Sequence, residues 1–130
     1  DYSEIRNFLY NNDILIAPYN KERVYAGQTE TSKFMSPLKI FEYMASKRPI
    51  VSSNHIVLKE VLKHNKNSIL CDPNNLNEWL RALRRLKNRK LRKKISEEAY
   101  NDFINQYTWD KRVKKILGIE LNERTNKKNK

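Results

Sequence analysis

Cysteine, histidine and glycine are scarce in this sequence, whose 130 residues include one cysteine, two histidines and two glycines. Without a second cysteine, Cys71 cannot form an internal disulfide, and no Cys/His spacing suitable for structural zinc exists. Long apolar runs are also absent, since the longest, Ile14–Ala17, has four residues, whereas a membrane-spanning helix needs about 20. Because no signal-peptide-like segment opens the sequence, we predict a soluble, cytoplasmic protein.

The length and composition predict one folded domain. At 130 residues, the chain is close to the length of about 150 residues that is usual for one domain. Hydrophobic residues make up 38% of the sequence and aromatic residues 10%, which is enough for an apolar core and excludes wholesale disorder. Because the chain opens on Asp1, within a helical pattern already under way, we expect it to be a fragment of a longer protein.

The net charge of +12 comes from local clusters of basic residues. Residues 81–94 contain nine Lys or Arg and no acid, and a second cluster runs from Lys111 to the C-terminus. Such clusters can bind nucleic-acid phosphates or an anionic membrane surface, or they can form the solvated face of a helix. No RNP-like aromatic strand, zinc finger or basic zipper accompanies the charge, which disfavours nucleic acid as a partner.

Short apolar runs alternate with segments of helical spacing. Three runs predict strands buried on both faces, Asp13–Ala17, Pro49–Ser53 and Asn67–Cys71. Helical spacing predicts helices over residues 3–11, 37–46, 56–64, 76–86, 90–106 and 109–117. In the fourth of these helices, five apolar residues predict one buried stripe: Leu76, Trp79, Leu80, Leu83 and Leu86. The alternation of strands and helices predicts parallel strands joined by crossover helices.

Three strands account for only part of a doubly wound domain, which normally has about five or more. We therefore predict an α/β fold in which residues 1–119 form the C-terminal half of a Rossmann-like parallel sheet, with terminal helices. Residues 120–130 contain one apolar side chain, Leu121, and are predicted to form a disordered basic tail.

One predicted helix begins with a cation where an acid is usual. Helix N-termini favour Asp or Glu because their free N–H groups and the dipole place about half a positive charge there. In Ser36-Pro37-Leu38-Lys39, a good N-cap and a good first helical residue are followed by a lysine. This arrangement is typical of an anion site with backbone N–H donors and a lysine counterion. Alternatively, Lys39 only extends into solvent.

Elsewhere, Asn75 and Glu78 are predicted to form a capping box.

Glu42 lies one helical turn after Lys39, on the same face of the predicted helix, with Tyr43 and Ser46 beside it. A carboxylate at this position could accept hydrogen bonds from two sugar hydroxyls, as an acidic residue does for a ribose in dinucleotide folds. Alternatively, Glu42 forms a surface ion pair with Lys39 or with one of its neighbours. The preceding loop, Tyr19–Met35, is longer than the usual connection of about 2–6 residues, which is typical of binding loops.

The run Ser36-Pro-Leu-Lys-Ile-Phe-Glu-Tyr-Met-Ala45, followed by Arg48-Pro-Ile-Val51, resembles a family signature. It is similar to the C-terminal, nucleotide-sugar-binding domain of GT-B glycosyltransferases, in the large retaining family 4 (glycosyl transferases group 1). Segments 13–18, 58–62 and 107–109 fit the same family in order. The resemblance covers residues 4–117.

The resemblance implies a nucleotide-sugar site. Its binding residues would be Ser36, Pro37, Leu38, Lys39 and Glu42. The helix start would hold the donor diphosphate, and Glu42 would bind the ribose hydroxyls as the second acid of the family's E-x7-E motif. Phe34 stands where the family has the first acid, so no sugar contact or catalytic residue is assigned. Lys47 stands where a glycine usually ends the helix, which predicts a left-handed backbone there.

The resemblance also implies transfer of a sugar from a UDP- or GDP-sugar to an acceptor hydroxyl, with retention and without a metal or other cofactor. The helix dipole and the lysine would stabilise the leaving diphosphate. The N-terminal acceptor domain would precede Asp1, so this chain alone is expected to be inactive. Expected partners are the donor, that missing domain and, peripherally, the inner face of the membrane. The alternative is a basic α/β module that binds nucleic acid or an anionic membrane.

Overall fold

The computed structural model of this chain describes residues 2–19 and 38–111. The elements in chain order are α1 (Tyr2–Tyr10), β1 (Leu15–Ala17), α2 (Leu38–Ala45), β2 (Ile50–Ser53), a 3₁₀ turn (Leu58–Glu60), β3 (Ile69–Cys71), α3 (Leu76–Arg85), α4 (Arg89–Asp102) and a π-helical segment (Phe103–Tyr107). The strands form a parallel sheet in the order β1-β2-β3. The predicted α/β fold with a parallel sheet is confirmed.

Apolar clusters cover both faces of the sheet. Because successive side chains of a strand point to opposite faces, Ile50 packs in the cluster that contains the buried residues of α2, and Val51 packs in the cluster beneath α3. The long helix α4 joins the two clusters, since Ile95 lies in the second and Ala99 in the first. Because the three strands are parallel, their carboxyl ends lie along one edge of the sheet between these two apolar layers.

The three predicted strands are confirmed, but β1 is not buried on both faces. Every residue of β2 is buried, as predicted. In β1, by contrast, Ile16 is 41% exposed. This difference arises because α3 packs mainly over β2 and β3, so the same face of β1 is left partly open.

The helix predicted over residues 56–64 is wrong, because only the 3₁₀ turn Leu58–Glu60 forms in that segment. In a continuing helix the Lys63 N–H would donate to the Lys59 carbonyl, but it donates to the Asn67 side-chain Oδ1 at 2.7 Å. A side chain that binds the backbone in this way competes with helix formation. The chain therefore turns toward β3.

The helix α3 is confirmed, but its buried face differs from the predicted stripe. Leu86 is fully buried, whereas Leu76 and Leu80 are 71% and 39% exposed. The packed face includes Ala82, which is 2% exposed. At about 100° per residue, Leu76 and Leu80 lie about 120° and 160° around the helix from Ala82. Both leucines therefore fall outside the contact with the sheet.

The capping box predicted at the start of α3 is also wrong. The Asn75 side chain makes no capping hydrogen bond. The Glu78 Oε2 atom instead accepts a hydrogen bond from the Asp72 N–H at 2.7 Å. The first turn of α3 is thereby fastened to the end of β3.

The predicted helix over residues 90–106 forms as α4 and the π-helical segment that follows it. Helical backbone begins again at Trp109, the start of the helix predicted over 109–117, but residues after 111 lie outside the described part of the chain. The tail predicted for residues 120–130 also lies outside it. In the described ranges, none of the helices is long and apolar enough to cross a membrane.

The left-handed residue predicted at the end of α2 is confirmed, since Lys47 has a φ of 56°. Glycine adopts this conformation without the steric cost that a Cβ atom brings. The Lys47 Nζ atom lies 4.3 Å from the centroid of the Tyr100 ring, so the side chain links α2 to α4 by a cation–π contact. The strained backbone and the favourable contact oppose each other.

We expect Lys47→Gly to leave a more stable protein than Lys47→Ala by about 1 kcal/mol. Both substitutions remove the cation–π contact, but only glycine also removes the backbone strain. Urea unfolding followed by circular dichroism would compare the two variants. Equal stability of the two would contradict a strained left-handed residue at this position.

Candidate functional site

The N-terminal end of α2 lies at the carboxyl edge of the sheet. This position follows from the topology, because α2 connects the parallel neighbours β1 and β2 and therefore starts beside the strand ends. Open α/β sheets bind ligands at this edge. The first turn of α2 contains no acidic residue, so no side chain of that turn neutralises the positive end of the helix dipole.

Three of the five predicted site residues lie in the described part of the chain. Leu38, the first residue of α2, is 53% exposed. Lys39 and Glu42 are also exposed, so a ligand at the start of α2 could reach both side chains. Ser36 and Pro37 lie outside the described residues.

Lys39 lies beside two tyrosines at the carboxyl end of β1. Its Nζ atom is 5.6 Å from the centroid of the Tyr43 ring. Burial raises the pKa of Tyr19, while the positive charge of Lys39 opposes this shift and Tyr43 adds to it. Within the described residues Lys39 and Glu42 form no ion pair with each other. The part of the ion-pair alternative which pairs Glu42 with Lys39 itself is therefore not observed there.

The polar face of α2 is narrower than predicted. Tyr43 and Ser46 are 8% and 5% exposed. The Tyr43 hydroxyl donates to the Ile16 carbonyl at 3.4 Å, and the Ser46 hydroxyl donates to the Tyr43 carbonyl at 2.6 Å. Both side chains are thus turned into the protein, which leaves Lys39 and Glu42 as the exposed polar pair.

The sequence analysis missed a polar group at the end of β2. Ser53 is fully buried, and among the described residues its hydroxyl has no hydrogen-bond partner. The neighbouring Ser52 is equally buried, but its hydroxyl donates to the Ala17 carbonyl at 3.3 Å. Strand alternation alone places the two hydroxyls on opposite faces of the sheet. The alternation does not show which of the two hydroxyls has a hydrogen-bond partner.

The single cysteine does not act as an exposed nucleophile. Cys71 is 1% exposed beneath α3. Burial raises the pKa of its thiol to about 11, with Glu78 adding to the shift and Arg81 opposing it. In residues 2–19 and 38–111, no group of three or more His, Cys, Asp and Glu side chains could hold a metal ion.

An open parallel sheet with a helix start and an exposed lysine at its carboxyl edge is the architecture of a Rossmann-like ligand-binding domain. The family model described as glycosyl transferases group 1 matches residues 1–89. Because this match covers more than half of the chain, the chain belongs to the glycosyl transferases group 1 family. The resemblance noted in the sequence is thereby confirmed.

Solved structures agree with this assignment. The chain is similar to the C-terminal domain of a glycosyl transferase group 1 family protein, LpcC, from Francisella tularensis, with a TM-score of 0.66, 24% identity and coverage of 84% of this chain and 50% of that one. It is also similar to TarM, with a TM-score of 0.54, 26% identity and coverage of 62% and 17%, respectively. This chain thus spans about half the length of the LpcC domain structure. None of the curated proteins matches it.

Proposed function

We propose that this chain is part of the donor-binding half of a retaining glycosyltransferase that uses a UDP- or GDP-sugar. The acceptor would be a hydroxyl group bound by an N-terminal domain that this chain does not include. Membership of the glycosyl transferases group 1 family supports glycosyl transfer as the reaction. The observation that most directly supports the donor site is made at the start of α2. Lys39 and Glu42 are exposed there, and the first turn contains no acidic residue.

In this proposal the first turn of α2 holds the donor diphosphate. Ser36 and Pro37 precede the turn, and the backbone N–H groups at Leu38 and Lys39 donate to phosphate oxygens. The Lys39 ammonium supplies a positive charge beside the helix dipole and stabilises the leaving diphosphate without a metal or other cofactor. Phe34, where the family has an acid, lies outside the described residues, and no catalytic residue is assigned.

Glu42 is proposed to bind the two ribose hydroxyls. Its carboxylate is exposed one turn after the diphosphate site, and an ionised carboxylate can accept both hydroxyl hydrogens. No lysine of the described residues competes for it as an ion-pair partner. The ribose would then lie along the exposed face of α2, next to the phosphate.

A nucleotide titration tests this site. We expect UDP or GDP to shift the backbone amide signals of Leu38 and Lys39 in the ¹⁵N-labelled full chain. Glu42→Ala should weaken the nucleotide about tenfold, because hydrogen bonds to a charged group contribute about 1.5–3 kcal/mol. Glu97→Ala is the matched control, since Glu97 is an exposed carboxylate on α4 that pairs only loosely with Lys93, at 3.9 Å.

A 2′-deoxynucleotide isolates the ribose contact. It should bind the wild-type chain more weakly than the ribonucleotide does. The Glu42→Ala variant should bind the 2′-deoxynucleotide no more weakly than the ribonucleotide, because the lost hydroxyl and the lost carboxylate form one interaction. The absence of amide shifts up to millimolar nucleotide would overturn the donor site. Equal nucleotide affinity for the wild type and the Glu42→Ala variant would show that Glu42 is not part of the donor site.

The basic cluster at residues 81–94 supports the competing function and a peripheral membrane contact. Most of its basic side chains are exposed on α3, on α4 and between them, where they could lie against anionic headgroups. A basic module of this kind would bind acidic vesicles or oligonucleotides with an affinity that falls steeply with salt, and it would show no response to UDP or GDP. Nucleotide binding at α2 together with vesicle binding would instead fit a transferase that works at the membrane surface.

A further inference from the structure

A pocket of about 300 Å³ opens at the carboxyl edge of the sheet, on the α3 side. It is lined by Pro18, Ser53, Pro73, Asn74, Leu76 and Trp79. The buried residues of α2 pack on the opposite face of the sheet from α3. The pocket is therefore separate from Lys39 and Glu42, the exposed pair on α2.

The Ser53 hydroxyl is the buried polar group of this pocket. Ser53 follows Val51 by two residues in β2, so its side chain points to the same face as Val51, beneath α3. It is 0% exposed, and its Oγ atom has no hydrogen-bond partner in the part of the chain that the structure describes. Buried hydroxyls are normally paired, because an unpaired one loses its hydration without compensation. An unpaired hydroxyl at the wall of a cavity is a group to which a ligand could supply the missing hydrogen bond.

The wall opposite Ser53 is held rigidly in place. The Trp79 indole Nε1–H donates to the Asp72 carbonyl at 2.9 Å, which fixes the orientation of the ring. The Asp72 carboxylate accepts from the Asn74 N–H at 2.9 Å, and the Asp72 N–H donates to Glu78 at 2.7 Å. These bonds set the Pro73–Asn74 turn and the first turn of α3 before any ligand arrives, which reduces the entropic cost of binding.

The lining defines the chemistry of the ligand. Among the described residues no charged side chain lines the pocket, so these residues offer no counterion to a phosphate or a carboxylate. Leu76 is 71% exposed, and Trp79 is half-buried beside it, which leaves apolar surface available to a ligand. The unpaired Ser53 hydroxyl can both donate and accept a hydrogen bond. A ligand that matches this lining would be neutral, with one apolar face and at least one hydroxyl or similar group.

We propose that this pocket binds an uncharged sugar ring, with the C–H face of the ring against Trp79 and Leu76 and a sugar hydroxyl bonded to Ser53. The volume is at the lower end of the range for ligand pockets, which suits a single ring. The choice of a sugar, among neutral ligands of this shape, rests on the proposed glycosyltransferase function. The pocket would hold part of a carbohydrate that the enzyme handles, away from the diphosphate.

Tryptophan fluorescence tests this proposal directly. The sequence has two tryptophans, and Trp109 is 74% exposed, so Trp109→Phe leaves Trp79 as the sole reporter in an otherwise intact chain. Titration with the methyl glycosides of glucose, galactose, mannose and N-acetylglucosamine should give a saturable change for at least one of them. The expected Kd is on the order of 1–10 mM for a ligand with about a dozen heavy atoms.

The two neighbouring serines supply a matched pair of variants. Ser53→Ala, in the Trp109→Phe background, should weaken the sugar about tenfold, whereas Ser52→Ala should leave its affinity unchanged because Ser52 faces the other side of the sheet. Backbone amide shifts at Ser53 and Asn74 in the ¹⁵N-labelled chain give a second measurement that does not depend on fluorescence. The proposal is overturned if no glycoside saturates up to roughly 100 mM, if glycerol produces the same response, or if Ser53→Ala binds as tightly as the parent.

The nucleotide titration keeps this test separate from the test of the donor site. Sugar binding that depends on Ser53 but not on Glu42, without any UDP or GDP binding, would support the pocket and overturn the donor site. Nucleotide binding that depends on Glu42, without saturable sugar binding, would overturn the pocket and leave the donor site in place.

Discussion

Asn67→Ala is expected to lower the free energy of unfolding by about 3–4 kcal/mol, a large part of the stability of a small domain. Asn67 is fully buried. Its Nδ2 group donates to the Val61 carbonyl at 3.1 Å and to the Asp102 carboxylate at 2.8 Å, while its Oδ1 accepts from the Lys63 N–H at 2.7 Å. Alanine makes none of these bonds, and the carbonyl of Val61, a residue that is only 7% exposed, loses its partner without gaining water.

Urea unfolding would measure this loss, with Asn101→Ala as the matched control. Asn101 is an exposed asparagine in the last turn of α4, and its substitution should change stability by no more than about 0.5 kcal/mol. The Asp102→Ala variant and the double variant complete a thermodynamic cycle, in which we expect a coupling energy of about 1 kcal/mol or more between Asn67 and Asp102. A loss below about 1 kcal/mol for Asn67→Ala would contradict its role as the link between β3 and α4.

Cys71 in the folded chain is expected to react with iodoacetamide at least about 100-fold more slowly than the same thiol in the unfolded chain at pH 8. The thiolate is the reactive form, and burial raises the pKa of Cys71 from 9.0 to about 11. At pH 8, a rise of about two units in the pKa reduces the thiolate fraction about 100-fold. Exclusion of the reagent from beneath α3 slows the reaction further.

Mass spectrometry of alkylated protein, with and without guanidinium, would give the two rates. The pKa shift also predicts that stability falls as the pH rises from about 9 to about 11, because over that range the unfolded thiol loses its proton while the folded thiol keeps it. Cys71→Ala should reduce the slope of stability against pH in this range. Native and unfolded rates within tenfold of each other would contradict the burial of the thiol.

Local patterns in the sequence were sufficient to predict the architecture. An apolar run that ends in turn-forming residues identified each strand, and apolar spacing identified α1 to α4, because burial on one face leaves a period in the sequence. The left-handed backbone of Lys47 was implied by the family resemblance, because Lys47 stands where the family usually has a glycine that ends the helix. The family followed from the run that begins at Ser36 and from its agreement with segments elsewhere in the chain.

Contacts between distant residues could not be predicted in this way. The bond between Asn67 and Asp102 joins residues 35 positions apart, and it is part of the arrangement that ends the helix expected over residues 56–64. The exposure of Leu76 and Leu80 depends on which strands α3 covers. The spacing of apolar residues in a helix does not determine how that helix packs on a sheet. Whether the Ser53 hydroxyl finds a hydrogen-bond partner likewise depends on which residues pack near the end of β2, and these residues are distant in the sequence. The donor-site roles of Lys39 and Glu42 remain predictions.

The position of β1 at the border of the sheet has a consequence for the behaviour of the protein at high concentration. Within the described residues, β1 pairs with β2 on one side only, and the backbone groups on its other side can template an incoming strand. Ile16 adds a partly exposed β-branched side chain at the same place, while Pro18 blocks any extension of the ladder beyond the strand. Self-association of the purified chain would therefore start at this three-residue segment and not at the basic cluster of residues 81–94, whose like charges repel a second copy.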